Sequence, residues 1–159
     1  MIKLGFKKLA EGARIPKYAH PGDAGMDVYA LEDTELSPGT CKLVRTGIAA
    51  EIPDGYELQV RARSGLALKG VTVWNAPGTI DSKYRGEIGV PLMYLNLGDL
   101  IIVEHGTLGL RAELPLYRIK KGDRIAQLVL APVSVAEPYE VQELSSTERG
   151  TGGFGSTGI

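Results

Sequence analysis

Arg61-Ala62-Arg63-Ser64-Gly65-Leu66-Ala67 brings two cations, a hydroxyl and a glycine to the start of a short run of helical character. If the approach is a strand, alternation puts Arg61 and Arg63 on one face. The helix start then adds free amides, and cation, hydroxyl and helix N-terminus together suit a phosphate. A Ser64 cap beside a surface arginine pair uses the same residues. The second stretch, Asn75-Ala76-Pro77-Gly78-Thr79-Ile80-Asp81-Ser82-Lys83-Tyr84-Arg85-Gly86-Glu87, is a turn between apolar runs. Its Pro-Gly pair is turn chemistry, and Gly78 has no side chain to hold a flat ring away. A carboxylate (Asp81) and a phenol (Tyr84) flank whatever binds there. An ordinary surface hairpin with a charged tip has the same composition.

Pro21-Gly22-Asp23-Ala24-Gly25-Met26-Asp27-Val28-Tyr29 is a turn leading into a strand. Asp23 suits a turn cap. Asp27 is either a solvated strand residue or a holder of hydrated magnesium, an ion that needs only one or two carboxylates plus substrate phosphates. In Lys120-Lys121-Gly122-Asp123-Arg124-Ile125-Ala126-Gln127-Leu128, Gln127 interrupts an apolar run. Its amide must find backbone partners or a ligand oxygen. The tail from Glu148 is rich in glycine and poor in apolar mass, so it has no packed element of its own. It still carries Arg149, Phe154, Thr151, Ser156 and Thr157, equipment for closing over a phosphorylated aromatic ligand.

The elements that must position these groups are short. Glycine and proline punctuate the chain, and the intervening runs favour a period of two. Tyr56 to Arg61 alternates cleanly, Leu43 to Ile52 less strictly, and Met1 to Leu9 reads as a charged, alternating strand. Leu100 to Val103 and Arg124 to Leu130 are short apolar runs. Many close-spaced strands predict an all-β fold. The one helical stretch is Ser64 to Gly70, with Ser64 at the N-cap and Gly70 in the left-handed C-terminal position. At 159 residues one domain is expected. A formal net charge of −1 disfavours a nonspecific polyanion binder, so no nucleic-acid partner is expected. One cysteine, Cys41, fits a reducing compartment, and its place before an apolar run predicts a buried or half-buried thiol. Trp74 is expected in the core. His20 and His105 read as loop residues. No apolar run is long enough to span a bilayer, and the N-terminus is unlike a signal peptide. A cytoplasmic protein without a membrane partner is expected.

Together the five stretches resemble the trimeric deoxyuridine triphosphate nucleotidohydrolases, the dUTPases. The motifs are Ala24 to Val28, Arg63 to Ala67, Gly78 to Asp81 with Tyr84 to Glu87, Gly122 to Leu128, and Arg149 through Gly158, in the family's order. The resemblance implies hydrolysis of dUTP to dUMP and pyrophosphate with Mg2+, limiting uracil incorporation into DNA and supplying dUMP for dTMP synthesis. It makes Asp81 the general base and lays Tyr84 against the deoxyribose. Asn75 and the backbone around Ala76, Gly78 and Ile80 read the uracil. Arg63, Ser64, Gly65 and Gln127 hold phosphate oxygens, and Asp27 reaches the metal through water. In the tail, Arg149 clamps the terminal phosphate, Phe154 covers the base, and Gly155, Ser156 and Thr157 bind substrate. The implied fold is a jelly-roll-like, distorted β-barrel subunit (residues 1–147) with a flexible arm (148–159) acting as a lid. The implied assembly is a homotrimer with shared active sites, the arm arriving from a neighbour.

Asn96 to Tyr117 is longer than in compact relatives, and its apolar runs suit an extra hairpin that is passive or contacts a partner. Two rivals remain: a dCTP deaminase of the same superfamily, which needs a cytosine-accepting slot and a catalytic glutamate in the hairpin region, where Glu87 instead fits the dUTPase pattern, and a nucleotide-sensing regulatory protein.

Overall fold

The computed structural model describes residues 2–95, 101–104, 107–110 and 115–153. Fourteen strands and one short helix make up the regular structure among them. In order they are β1 (Gly5–Lys8), β2 (Lys17–Tyr18), β3 (Met26–Tyr29), β4 (Thr34–Leu36), β5 (Cys41–Val44), β6 (Ile48–Glu51) and β7 (Tyr56–Arg61). After α1 (Ser64–Ala67) come β8 (Val71–Val73), β9 (Gly78–Ile80), β10 (Val90–Tyr94), β11 (Ile101–Glu104), β12 (Thr107–Leu110), β13 (Tyr117–Ile119) and β14 (Arg124–Pro132). The main sheet has the order β2-β3-β14-β7-β9, and a second has the order β5-β10-β8. Smaller pairs, β1-β6 and β13-β4, complete a jelly-roll-like all-β subunit. Among the described residues no helix is long and apolar enough to cross a membrane.

Period-two patterning explains how the sheets close on one core. In β7, Leu58 and Val60 are buried, and in β10 the buried residues are Val90, Leu92 and Tyr94. They meet Val28 of β3 and Leu128 of β14 in one cluster. Each such side chain contributes about 1.5–3 kcal/mol by leaving water. The run from Leu43 to Ile52 is two strands rather than one. Gly47 turns the chain at φ +69°, where a Cβ would press on Ala13 and Leu31.

Four further sequence expectations need correction. Arg63, not Ser64, occupies the helix N-cap, and no side chain caps α1. The strand ends at Arg61, so alternation does not carry over to Arg63. Arg61 donates to Gln59 Oε1, at 2.6 Å from Nη2, while Arg63 turns to other partners. Cys41 is exposed because β5 is an edge strand whose only buried residue is Val44. Trp74 is 59 % exposed, because Val71 and Val73 already face inward and Trp74 follows the strand into a turn. Gly70 does take the left-handed conformation, at φ +77°. Among the described residues Ile101–Glu104 and Thr107–Leu110 pair with each other alone, as the extra hairpin requires. His105 lies outside the described residues.

Candidate active site

Two groups of candidate residues form, one at each end of the main sheet. At the first, Asp27 of β3 faces Gln127 of β14, and Gln127 in turn faces Arg61 of β7. The Asp27 side chain is only 6 % exposed and lies between two guanidinium groups. Arg124 Nη1 donates to Oδ2 at 3.2 Å. Arg63 Nε is 3.3 Å from Oδ1, but it is not aligned as a hydrogen bond. Oδ1 is therefore a buried oxygen without a donor among the described residues. Arg63 Nη1 instead donates to the Arg124 carbonyl at 2.9 Å, tying β14 to the start of α1.

Backbone detail makes this cluster possible. The β3–β14 register slips between Arg124 and Ala126, a bulge that redirects Arg124 towards Asp27. A Cβ at Gly25 would lie 3.1 Å from the Gln127 side chain, so glycine leaves the half-buried amide its room. Among the described residues no hydrogen bond engages that amide. Ser64 and Gly65 are exposed, and a Cβ at Gly65 would meet nothing within 4 Å. The cluster thus offers cations, a hydroxyl and an amide around one shielded carboxylate.

The second group sits on the hairpin from β8 to β9 and the loop behind it. Ala76–Pro77 is a cis peptide. Gly78 is buried, and a Cβ there would lie 3.1 Å from Asn75 Nδ2. Ile80, Asp81, Tyr84, Thr79, Glu87 and Leu43 line a cavity of about 300 Å3. Asp81 is exposed, and its carbonyl accepts from the Tyr84 amide at 3.0 Å. Tyr84 Oη donates to the Glu87 carbonyl at 3.0 Å. The Glu87 carboxylate accepts from Arg45 Nη2 at 3.0 Å and from the Gly47 amide at 2.8 Å. Burial presses the Glu87 pKa upward, but Arg45 and the Gly47 amide outweigh it and hold the carboxyl below the usual glutamate range. The same pairing raises the Arg45 pKa.

The register keeps the two groups apart. Ile80 faces Leu58, three residues along β7 from Arg61, and Asp81 lies one residue beyond. Three strand spacings separate β3 from β9. At about 3.3 Å per residue and 4.8 Å per strand, Asp81 and Asp27 of one chain stand on the order of 20 Å apart. That exceeds what one water and one hydrated ion span at a single phosphorus.

Arg149 Nε donates to the Gly152 carbonyl at 2.9 Å, closing a turn at the head of the tail. Phe154, Gly155, Ser156 and Thr157 lie outside the described residues. The sequence reading missed Arg124 as a partner of Asp27 and missed the Arg45–Glu87 pair. Arg124 stood within a quoted motif, but nothing local announced the bulge that aims it.

The family model described as dUTPase matches residues 11–107 and 116–158. The chain belongs to the dUTPase family. The gap in that match, 108–115, falls within the extra segment. A deoxyuridine 5'-triphosphate nucleotidohydrolase of Nautilia profundicola is 51% identical over 158 residues, 99% of each chain. One from Zymomonas mobilis is 52% identical over 161 residues, again 99% of each. Among solved dUTPases, that of Staphylococcus bacteriophage 80alpha with dUPNHPP is 33% identical, with a TM-score of 0.82 over 100% of both chains. The dUTPase of phage phi11 of S. aureus, described with a species-specific insert, is 29% identical, with a TM-score of 0.73 over 92% of this chain and 100% of that one.

Proposed function

We propose that the chain hydrolyses dUTP to dUMP and pyrophosphate, as a dUTP diphosphatase, limiting uracil incorporation into DNA and supplying dUMP for dTMP synthesis. The observation that carries this reading is the cavity in which Asp81 stands beside Tyr84 and Ile80. Asp81 orients a water and accepts its proton. The water oxygen bonds to the α-phosphorus as the bond to the pyrophosphate oxygen breaks. Such a reaction is largely positioning and charge neutralisation, which suits a carboxylate fixed by a hairpin.

Tyr84 lies along the deoxyribose and leaves no space for a 2′-hydroxyl. Asn75, Ile80 and the backbone of Ala76 and Gly78 read the uracil edge; a slot of this kind rejects a base that leaves its polar groups unpaired. Arg63, Ser64, Gly65 and Gln127 hold phosphate oxygens. The orphaned Asp27 Oδ1 suits a water of a hydrated magnesium ion. Mg2+ held there would supply positive charge to the triphosphate. Arg149 takes the terminal phosphate, Phe154 covers the base, and Gly155, Ser156 and Thr157 complete the contacts. Residues 148–159 act as a lid on the domain formed by 1–147.

The separation of Asp81 from Asp27 supports sites shared between copies in a homotrimer, one copy supplying the hairpin and another the Asp27 cluster. The cytoplasm is the proposed location. Pyrophosphate release from dUTP, dTTP, dCTP and UTP, with and without Mg2+, tests the reading. Rapid release from dUTP alone, dependent on Mg2+, is expected; ammonia from dCTP, or equal rates on dTTP, would replace it.

A further inference from the structure

Resting on that reading, we infer that Arg45 and Glu87 are positioning residues for sugar discrimination, a brace that holds Tyr84 from the rim of the cavity that Glu87 and Tyr84 both line. The Asp81–Glu87 loop leaves β9 without strand partners of its own. Its far end is fixed at four points, on the turn between β5 and β6 and on the first residue of β6. Glu87 accepts from Arg45 Nη2 at 3.0 Å and from the Gly47 amide at 2.8 Å. Thr46 Oγ1 donates to the carbonyl of Ile88, the residue that follows. The Ile88 amide donates to the Ile48 carbonyl at 2.8 Å.

The connection to the pocket is direct. The Glu87 carbonyl is the acceptor for Tyr84 Oη at 3.0 Å. Tyr84 is otherwise 47% exposed, so this bond is what sets the height of its ring above the cavity. Gly86 lies under the phenol, where a Cβ would collide with it. A movement of the Glu87 backbone therefore moves the phenol. The Glu87 side chain is 25% exposed and that of Arg45 50%. The carboxylate thus makes charge-assisted bonds, the stronger kind, at the far end of the loop.

The test compares dUTP and UTP turnover in the full-length protein for Glu87→Ala, Arg45→Ala and Arg45→Lys, with melting curves for each. The brace predicts that the ratio of kcat/KM for dUTP over UTP falls roughly tenfold in both alanine variants. The change lies mainly in a higher kcat/KM for UTP, because a displaced ring admits the 2′-hydroxyl, and Arg45→Lys reverses much of it. Tyr84→Phe lowers the same ratio, and its effect is not additive with Glu87→Ala. A ratio within twofold of the parent in folded Arg45→Ala and Glu87→Ala overturns the brace. So does a fall in kcat shared equally by both substrates, the mark of a general structural role. If the parent protein cleaves no dUTP, the dUTPase reading fails instead, and the two failures are separate.

Discussion

Asp27 and Gln127 face one another across the β3–β14 ladder, a carboxylate shielded from water beside an amide with no partner among the described residues. The buried Asp27 Oδ1 without a donor carries a desolvation cost, and the half-buried Gln127 amide beside it is left open to a charged ligand.

Asp27→Asn removes the charge and keeps the shape. Arg63 and Arg124 then lose their shared counter-ion. Stability is expected to fall by about 1–3 kcal/mol. Half-saturation by Mg2+ should rise roughly tenfold or more, as when a group orienting a metal is lost. A magnesium titration of dUTP turnover checks this, and an unchanged midpoint would take Asp27 out of the metal's reach.

Asp81→Asn keeps the hairpin and removes the proposed base. Turnover should drop about a hundred- to ten-thousand-fold. Binding of dUTP, followed by calorimetry, should survive. Near-parental turnover would remove Asp81 from the mechanism.

Deletion of 149–159 takes away Arg149 and the glycine-rich segment. The remaining chain keeps every strand found among the described residues and should melt close to the parent temperature. Its turnover should fall roughly a hundredfold, because the substrate is no longer held in register. Undiminished turnover would refute the lid.

The depressed Glu87 pKa makes part of the stability depend on pH. A carboxyl held lower in the folded state than in the unfolded chain stabilises fully above its unfolded pKa, about 4.3 for glutamate. That contribution fades as pH falls through the folded value. Asp33 and Asp54 are lowered too, by the Lys121 amide with Lys120 and by Lys83 respectively. Both remain in Glu87→Gln, so the difference between parent and variant isolates Glu87. The melting-point gap between them should be widest at neutral pH and shrink in acid; a gap that grows in acid would reverse the sign.

The parts of the fold that local rules govern were legible in the sequence. Tyr56 to Arg61 alternates, and β7 has those bounds. Arg124 to Leu130 lies inside β14, and the extra hairpin lies within the segment that looked too long. The turn-borne Asp81 and Tyr84 do line one cavity. What eluded the sequence depends on distant partners. Arg124 reaches Asp27 through a bulge whose cause is pairing with β3. Arg45 meets Glu87, 42 positions away, because the turn at Gly47 is packed beside the loop. Cys41 and Trp74 lie open for a related reason: an apolar residue's neighbourhood in sequence does not say which sheet face, or which edge, it will join.

In the shared-site assembly proposed above, the span between Asp81 and Asp27 would tie catalysis to mass action. A lone subunit carries both proposed halves of the machinery but holds them on the order of 20 Å apart. Output per chain would then depend on how many chains have found company, so that dilution alone would act as an off switch.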